Sequence, residues 1–377
     1  MSDLLPMPAI AGVPTSIPIF IGVTAISGDS VLLTPVRIDS VAAFETTFGA
    51  AAQGNLPGSV KLFFANGGES CVVISAGPDA KGVTREALLA GLEAAGKEVG
   101  PSMTVVPDAV LLPTIEDFSA VARAMMVQAG TLQDRIAILD VYGAQSVTKE
   151  TLGAVIESFR AATANDFLSW AAAYFPDVEA EEGQTKLPPS GAMAGIFAAS
   201  DGANGVWNAP TNIAMRGIAG LTYALTDDDQ ALLTPASGGQ AVNALRSFPP
   251  RGAVVWGART LQWNDSDYRY VQIRRTLIYI EQSIKNMLRQ FVFAPNDGNT
   301  WAIVVSMVSS FLQGVWSQGG LMGATASEAF TVQCGVGSTM TPQDILEGFM
   351  IVQVTLQMIR PAEFIALTFK QKMEGVG

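Results

Sequence analysis

Residues 270–291 read YVQIRRTLIYIEQSIKNMLRQF, and this stretch decides the character of the last third of the chain. Tyr270, Ile273, Leu277, Ile280, Ile284, Met287 and Phe291 recur at three- and four-residue steps, which predicts one apolar stripe along a helix of about six turns. Arg274, Arg275, Lys285 and Arg289 fall off that stripe and are expected to form a basic outer face, with Glu281 as the i,i+4 partner of Lys285. A second helix is expected over 299–317; it carries Trp301 and Trp316 and no charge, so it should be buried on nearly every side. Two such helices need a sheet to lie on. Residues 329–334 and 349–358 supply it, the latter alternating Met350, Val352, Val354, Leu356 and Met358 with Ile351, Gln353, Thr355 and Gln357. Beyond Pro361, Ile365, Leu367 and Phe369 alternate with Thr368, Lys370 and Lys372, a terminal strand that can pair within its own sheet or be given to a neighbour's.

Working back toward the N-terminus, residues 80–235 alternate helices with single strands: a helix over 115–129, a buried strand over 135–140, a helix over 151–162 and an apolar, aromatic run over 167–175. Residues 177–189, with four acids, are expected as a solvated loop. Further upstream, residues 70–75 and 19–24 read as buried strands, and 44–49 and 59–64 as short helices ended by Gly49 and by Asn66-Gly67-Gly68. Pro6, Pro8, Pro14 and Pro18 make the first residues an extended arm. The fold class is therefore α/β (α+β).

Composition narrows the function. Hydrophobic residues are 49% of the 377 and charged residues only 15%, too little charge to cover a soluble monomer and a first sign of large interfaces. Histidine is absent, which removes the commonest general base and metal ligand and every Ser-His or Cys-His nucleophile pair. Cys71 and Cys334 lie in separate strand-like contexts and read as thiols, so neither a disulfide, a metal site nor a cofactor is expected. Net charge is −12, unevenly spread: from Arg251 onward ten basic residues face nine acidic, leaving twelve against twenty-five before it. An acidic body of this kind argues against nucleic acid as a partner. No run reaches the roughly 18 apolar residues of a membrane span and the first residues lack a signal-peptide pattern, so cytosolic assembly without membrane insertion is expected.

Four motifs invite a ligand reading and yield a plainer one. In Trp256-Gly257-Ala-Arg259-Thr, Trp256 is expected to fill the core and Arg259 to pair with a carboxylate. Pro188-Pro-Ser-Gly191 offers a serine without a base and reads as a turn. The run 227–229 of three aspartates reads as a helix start, and Asn66-Gly67-Gly68, lacking the following Lys-Ser/Thr, is a turn and not a phosphate loop.

Taken in order, the residues resemble the contractile tail sheath family of phage tails, R-type bacteriocins, type VI secretion and extracellular injection particles. The likeness runs from Ile10 to Lys372 and is carried by Gly12-Val-Pro-Thr-Ser with Ile19-Phe-Ile-Gly22, Phe63-Phe-Ala-Asn-Gly-Gly68, Pro188-Pro-Ser-Gly191, Asp201 with Gly205-Val-Trp-Asn-Ala-Pro210, Trp256-Gly-Ala-Arg-Thr260, Arg274-Arg275, Ala329-Phe330, and Thr341, Asp344 and Gly348 leading to Pro361-Ala-Glu-Phe364. The family's usual Pro-Gly-Val-Tyr-like opening is absent.

The resemblance implies a structural subunit, not an enzyme, that forms hexameric rings stacked into a helical sheath around an inner tube and contracts to drive the tube through a target envelope. It implies baseplate, cap and sister sheath subunits as further partners, and a phage tail or released particle as the destination. It also implies an N-terminal arm over 1–20, a tube-proximal core from 21–75 and 236–360, an outer domain inserted at 76–235, and a C-terminal arm over 361–377. Glu363, Phe364, Ile365, Leu367, Phe369, Lys370 and Lys372 would then exchange between subunits, and Arg274, Arg275, Lys285 and Arg289 would face the tube. The alternatives are a non-contractile self-assembling shell protein and a His-free α/β hydrolase or ligand-binding protein.

Overall fold

The computed structural model describes residues 10–26, 28, 30–49, 53–181, 185–234, 239–263 and 267–361. Thirteen strands occur among them: β1 Pro18–Thr24, β2 Val36–Ile38, β3 Cys71–Pro78, β4 Met103–Val105, β5 Ile136–Asp140, β6 Ala171–Phe175, β7 Val178–Ala180, β8 Lys186–Leu187, β9 Ile218–Leu221, β10 Asn243–Phe248, β11 Gly252–Val255, β12 Phe330–Gln333 and β13 Gln353–Leu356. The main helices are α1 Val41–Phe48, α2 Leu56–Ala65, α3 Arg85–Ala95, α4 Ile115–Leu132, α5 Leu152–Thr163, α6 Ser190–Asn204, α7 Asp227–Leu233, α8 Val271–Leu288 and α9 Gly298–Ser317.

Eight strands form one sheet in the order β11-β10-β6-β5-β4-β1-β3-β2. Its six central strands are parallel, and the edge strands β2 and β11 run antiparallel to their neighbours. Parallel strands covered on both faces read as continuous apolar runs, as β1 does: Ile19 and Ile21 enter the core under α3, α4 and α5, and Phe20 enters the core under α1, α2 and α6. Side-chain caps start the covering helices, Ser40 on α1, Thr84 on α3 and Thr114 on α4.

The expected division into a core and an insert does not match this sheet. The boundary drawn at residue 75 falls inside β3, and the segment 76–235 supplies β4, β5 and β6 to the sheet that holds β1 and β3. The distinct packing unit is the last one: α8, α9 and the antiparallel pair β12-β13 enclose a separate core of Ile280, Ile284, Val304, Val308, Leu312 and Leu321.

Three local expectations also change. In the acidic stretch 177–189 the described residues are not a solvated loop, because Val178, Ala180 and Leu187 turn inward as β7 and β8 pair with each other and β7 with β9. Pro188-Pro-Ser-Gly191 opens α6 and does not close a turn. Helix α9 is buried along one side only, through Val304, Met307, Val308, Leu312 and Val315; Ala302, Ser306, Ser310, Gln313 and Ser317 face out, so small polar residues stand where charges are usual.

Candidate assembly surface

Helix α8 joins the two units, and its arginines make the joint. Arg275 donates to both carboxylate oxygens of Asp201 on α6, Nη1 to Oδ1 at 2.9 Å and Nη2 to Oδ2 at 2.6 Å, and Nη2 also reaches the Thr15 carbonyl at 2.9 Å. Thr15 Oγ1 donates to Asp201 Oδ2 at 2.6 Å, and Ser102 Oγ donates to the Thr15 carbonyl. The chain just before β1 is thereby strapped across α6, α8 and the lead into β4; Val13 N–H extends the strap to Ser283 Oγ at 3.0 Å. Forked guanidinium-to-carboxylate bonding of this sort fixes orientation as well as adding energy.

Arg274 is held as firmly. Its guanidinium stacks 4.0 Å from the rings of Trp170 and Tyr268, and it donates to the Ser169 carbonyl at 3.2 Å and Ser169 Oγ at 2.8 Å. Arg274 and Arg275 are 7% and 3% exposed, so neither belongs to a basic outer face as the sequence suggested. Lys285 and Arg289, one turn apart, are exposed as expected, and Glu281 forms no ion pair with Lys285 among the described residues.

In the Trp-Gly-Ala-Arg-Thr motif the expected burial of Trp256 is corrected. Trp256 is 40% exposed and packs on Phe248, ring centroids 4.7 Å apart, at the open edge of the sheet where no core is left to fill. Arg259 is buried with its guanidinium 3.9 Å from the Trp263 ring. The buried amide of Asn243 clamps the connection, accepting from Arg259 N–H and donating to the Arg259 carbonyl, both at 2.7 Å. Gly257 leaves room for that amide: a Cβ there would stand 2.7 Å from Asn243 Oδ1.

Between α8 and β13 lies a groove of 880 Å³ whose walls are Ile273, Leu277, Ile284 and Leu288 on the helix and Val352, Val354 and Met358 on the strand side. The apolar stripe of α8 thus packs with the two-stranded sheet in the shared core but leaves this groove between them, and β13 pairs only with β12 among the described strands. Arg360, which ion-pairs with Asp267 at 2.7 Å, lines the groove's mouth. The strand-exchange residues Glu363, Phe364, Ile365, Leu367, Phe369, Lys370 and Lys372 lie outside the described residues.

Among the described residues, no cluster of three or more metal-ligating acids or thiols occurs. Cys71 is buried, which pushes its thiol up to about 12.

Comparison with known proteins places this arrangement. The family model described as the phage tail sheath C-terminal domain matches residues 264–372, a range that includes the residues lining the groove. A tail sheath protein of Burkholderia phage BcepMu is 28% identical over 144 residues, 37% of this chain and 30% of the phage protein's length. The helical sheath of the anti-feeding prophage in its contracted state is similar with a TM-score of 0.81 and 30% identity, covering 99% of this chain and 98% of that one. The sheath complex of the extracellular contractile injection system PVC, also contracted, gives 0.80 and 29% over 99% and 96%. With that identity sustained across nearly all of both chains, this protein belongs to the contractile tail sheath family.

Proposed function

We propose that the chain polymerises helically around an inner tube and shortens to drive that tube through a target envelope. The observation that carries this reading is likeness over 99% of the chain to a helical sheath in a contracted state. It assembles from the bacterial cytoplasm, on a baseplate and under a cap, and its work is structural. Relatives of this kind include a baseplate assembly of the anti-feeding prophage, which favours a baseplate partner here as well.

Subunits are joined by donated strands. The groove beside β13 offers a strand edge that pairs with no other described strand, under an apolar helix face, and its lining reaches Arg360. A donated strand of about ten residues makes roughly eight backbone hydrogen bonds at about 1 kcal/mol each, on the order of 8 kcal/mol before ordering entropy is subtracted. Such an arm stays attached while subunits rotate, so the lattice shortens without nucleotide hydrolysis as new contacts form. Lys285 and Arg289, exposed on α8, are the cations that would meet the tube. The test is a chain ending at residue 361: it should remain folded and monomeric by sedimentation while the full chain forms polymers. Normal polymers from the shortened chain would refute strand donation.

A further inference from the structure

Phe293 is fully exposed and belongs to none of the hydrophobic cores. It sits at φ 70°, in the left-handed region that bulky L-residues avoid. The turn that presents it is nevertheless built. Val292 N–H donates to the Arg289 carbonyl at 3.3 Å and Ala294 N–H to the Phe291 carbonyl at 3.0 Å. Asn296 pins the far side, its amide donating to the Phe349 carbonyl at 2.8 Å while its oxygen accepts from Trp301 Nε1–H at 2.7 Å. Strain held in place with no packing gained inside the chain points to a partner that supplies the contact.

On the same chain a notch of 120 Å³ lies open between the strap before β1, the lead into β4 and α8. A cavity of about 150 Å³ takes up benzene, so this notch has the size of one aromatic ring and is too small for a strand or a helix. Its apolar wall is Val13, Pro14, Val99, Pro101, Val206 and Ile278. Arg275, Ser102, Gln282 and Asp134 also line it, but their polar groups are engaged: Arg275 by Asp201, Ser102 by the Thr15 carbonyl, Gln282 by the Gln133 carbonyl at 3.0 Å, and Asp134 by Arg135 at 2.7 Å. Asn286 and Arg289, the remaining polar groups along α8 apart from the Tyr279 hydroxyl, are exposed. Val99 is 81% exposed, an apolar side chain left open at the notch. Phe293 lies four residues beyond Arg289 and, being fully exposed, does not fill the notch of its own chain.

We propose that Phe293 of one copy inserts into the notch of a second copy, a knob-and-hole contact between subunits that is separate from strand donation. It rests on the reading of the chain as a self-assembling sheath subunit. Knob and hole are different patches of one surface, so the contact is heterologous: each copy offers one of each, and the contact repeats along a polymer instead of closing within a pair. Covering the ring and Val99 together is what offsets the strain at residue 293, and an aromatic side chain seated in a pocket is the usual anchor of such an interface.

The test compares polymerisation of the full wild-type chain with that of Phe293→Gly and Val99→Trp, by pelleting over a concentration series. Phe293→Gly removes the ring and the strain together, so it should keep or raise the wild-type urea midpoint while its critical concentration for assembly rises about tenfold to a hundredfold, the loss of one buried ring. Val99→Trp crowds the notch from an exposed position and should raise the critical concentration likewise. Polymers mixed from Phe293→Cys and Val99→Cys chains, assembled at high concentration, should be joined between positions 293 and 99 by a short thiol-reactive linker, read by mass spectrometry of the joined peptides. Phe293→Gly polymers at the wild-type critical concentration, or mixed polymers without that link, would overturn the contact. A Phe293→Gly chain that assembles as wild type does and fails only to hold the tube subunit would give the ring to the tube and overturn it too. A wild-type chain that forms no polymer at all would overturn the sheath reading together with this one.

Discussion

Replacing Arg275 with alanine separates the two roles that a basic helix residue could play here. The substitution removes both bonds to Asp201 and the bond to the Thr15 carbonyl, leaving a carboxylate that only Thr15 Oγ1 still reaches. The side chains of Arg275 and Asp201 are 3% and 5% exposed, so water cannot take the arginine's place without opening the joint. Breaking a buried pair from one side costs about 3–5 kcal/mol, and the loss should appear as a lower midpoint in urea unfolding followed by circular dichroism. Arg275→Lys should recover only part of it, because an ammonium cannot fork onto both oxygens. Arg289→Ala, on the exposed face, should change stability by no more than about 0.5 kcal/mol. An Arg275→Ala chain with the wild-type midpoint that fails only in assembly would refute the joint and restore the outward-facing role.

Gly191→Ala would drive a methyl group against the Ser59 carbonyl and to 2.7 Å from the Ser59 Cα, and should destabilise by about 1–3 kcal/mol in the same assay; an unchanged midpoint would mean that α6 and α2 can separate freely. Asp108 accepts from the N–H groups of Val23, Asn55 and Leu56, so Asp108→Ala should cost about 3 kcal/mol in calorimetry. Burial raises Asp108 to about 6, so its proton-linked contribution is fully present below its unfolded value of roughly 4 and is lost as pH rises through about 6; the alanine variant should lack that slope. Phe293 is fully exposed at φ 70°, and Phe293→Gly should raise stability by about 1 kcal/mol; a comparable loss would reveal packing in solution.

The strands of the main sheet were legible because parallel strands buried on both faces leave runs such as Ile19-Phe-Ile and Ile136-Ala-Ile-Leu. The pairing of those strands was not. β4 is three residues long and sits between Pro101 and Pro107, so nothing local marks the strand that bridges β1 to β5.

The arginines were misassigned by reading charge as exposure, although a signal was present. At three and four residues to either side, Arg274 has Tyr270, Val271, Leu277 and Ile278, all apolar or aromatic, which places it in a buried row. Lys285 has Glu281, Gln282, Leu288 and Arg289 at the same offsets, three of them polar, and is exposed. Asp201 as the partner of Arg275 could not be read at all, since 74 residues separate them. The apolar stripe on α8 and the alternating strand at β13 were legible, but the sequence reading laid one on the other and did not foresee the groove between them.

Electron microscopy of the full chain, made alone and together with the tube subunit of its own particle, addresses the central claim most directly. The account predicts hollow striated cylinders in both preparations, wide when the protein is alone and longer and narrower around a tube. Cylinders of a single geometry in both would leave a shell without contraction, and uniform small particles at high concentration in both would contradict assembly itself.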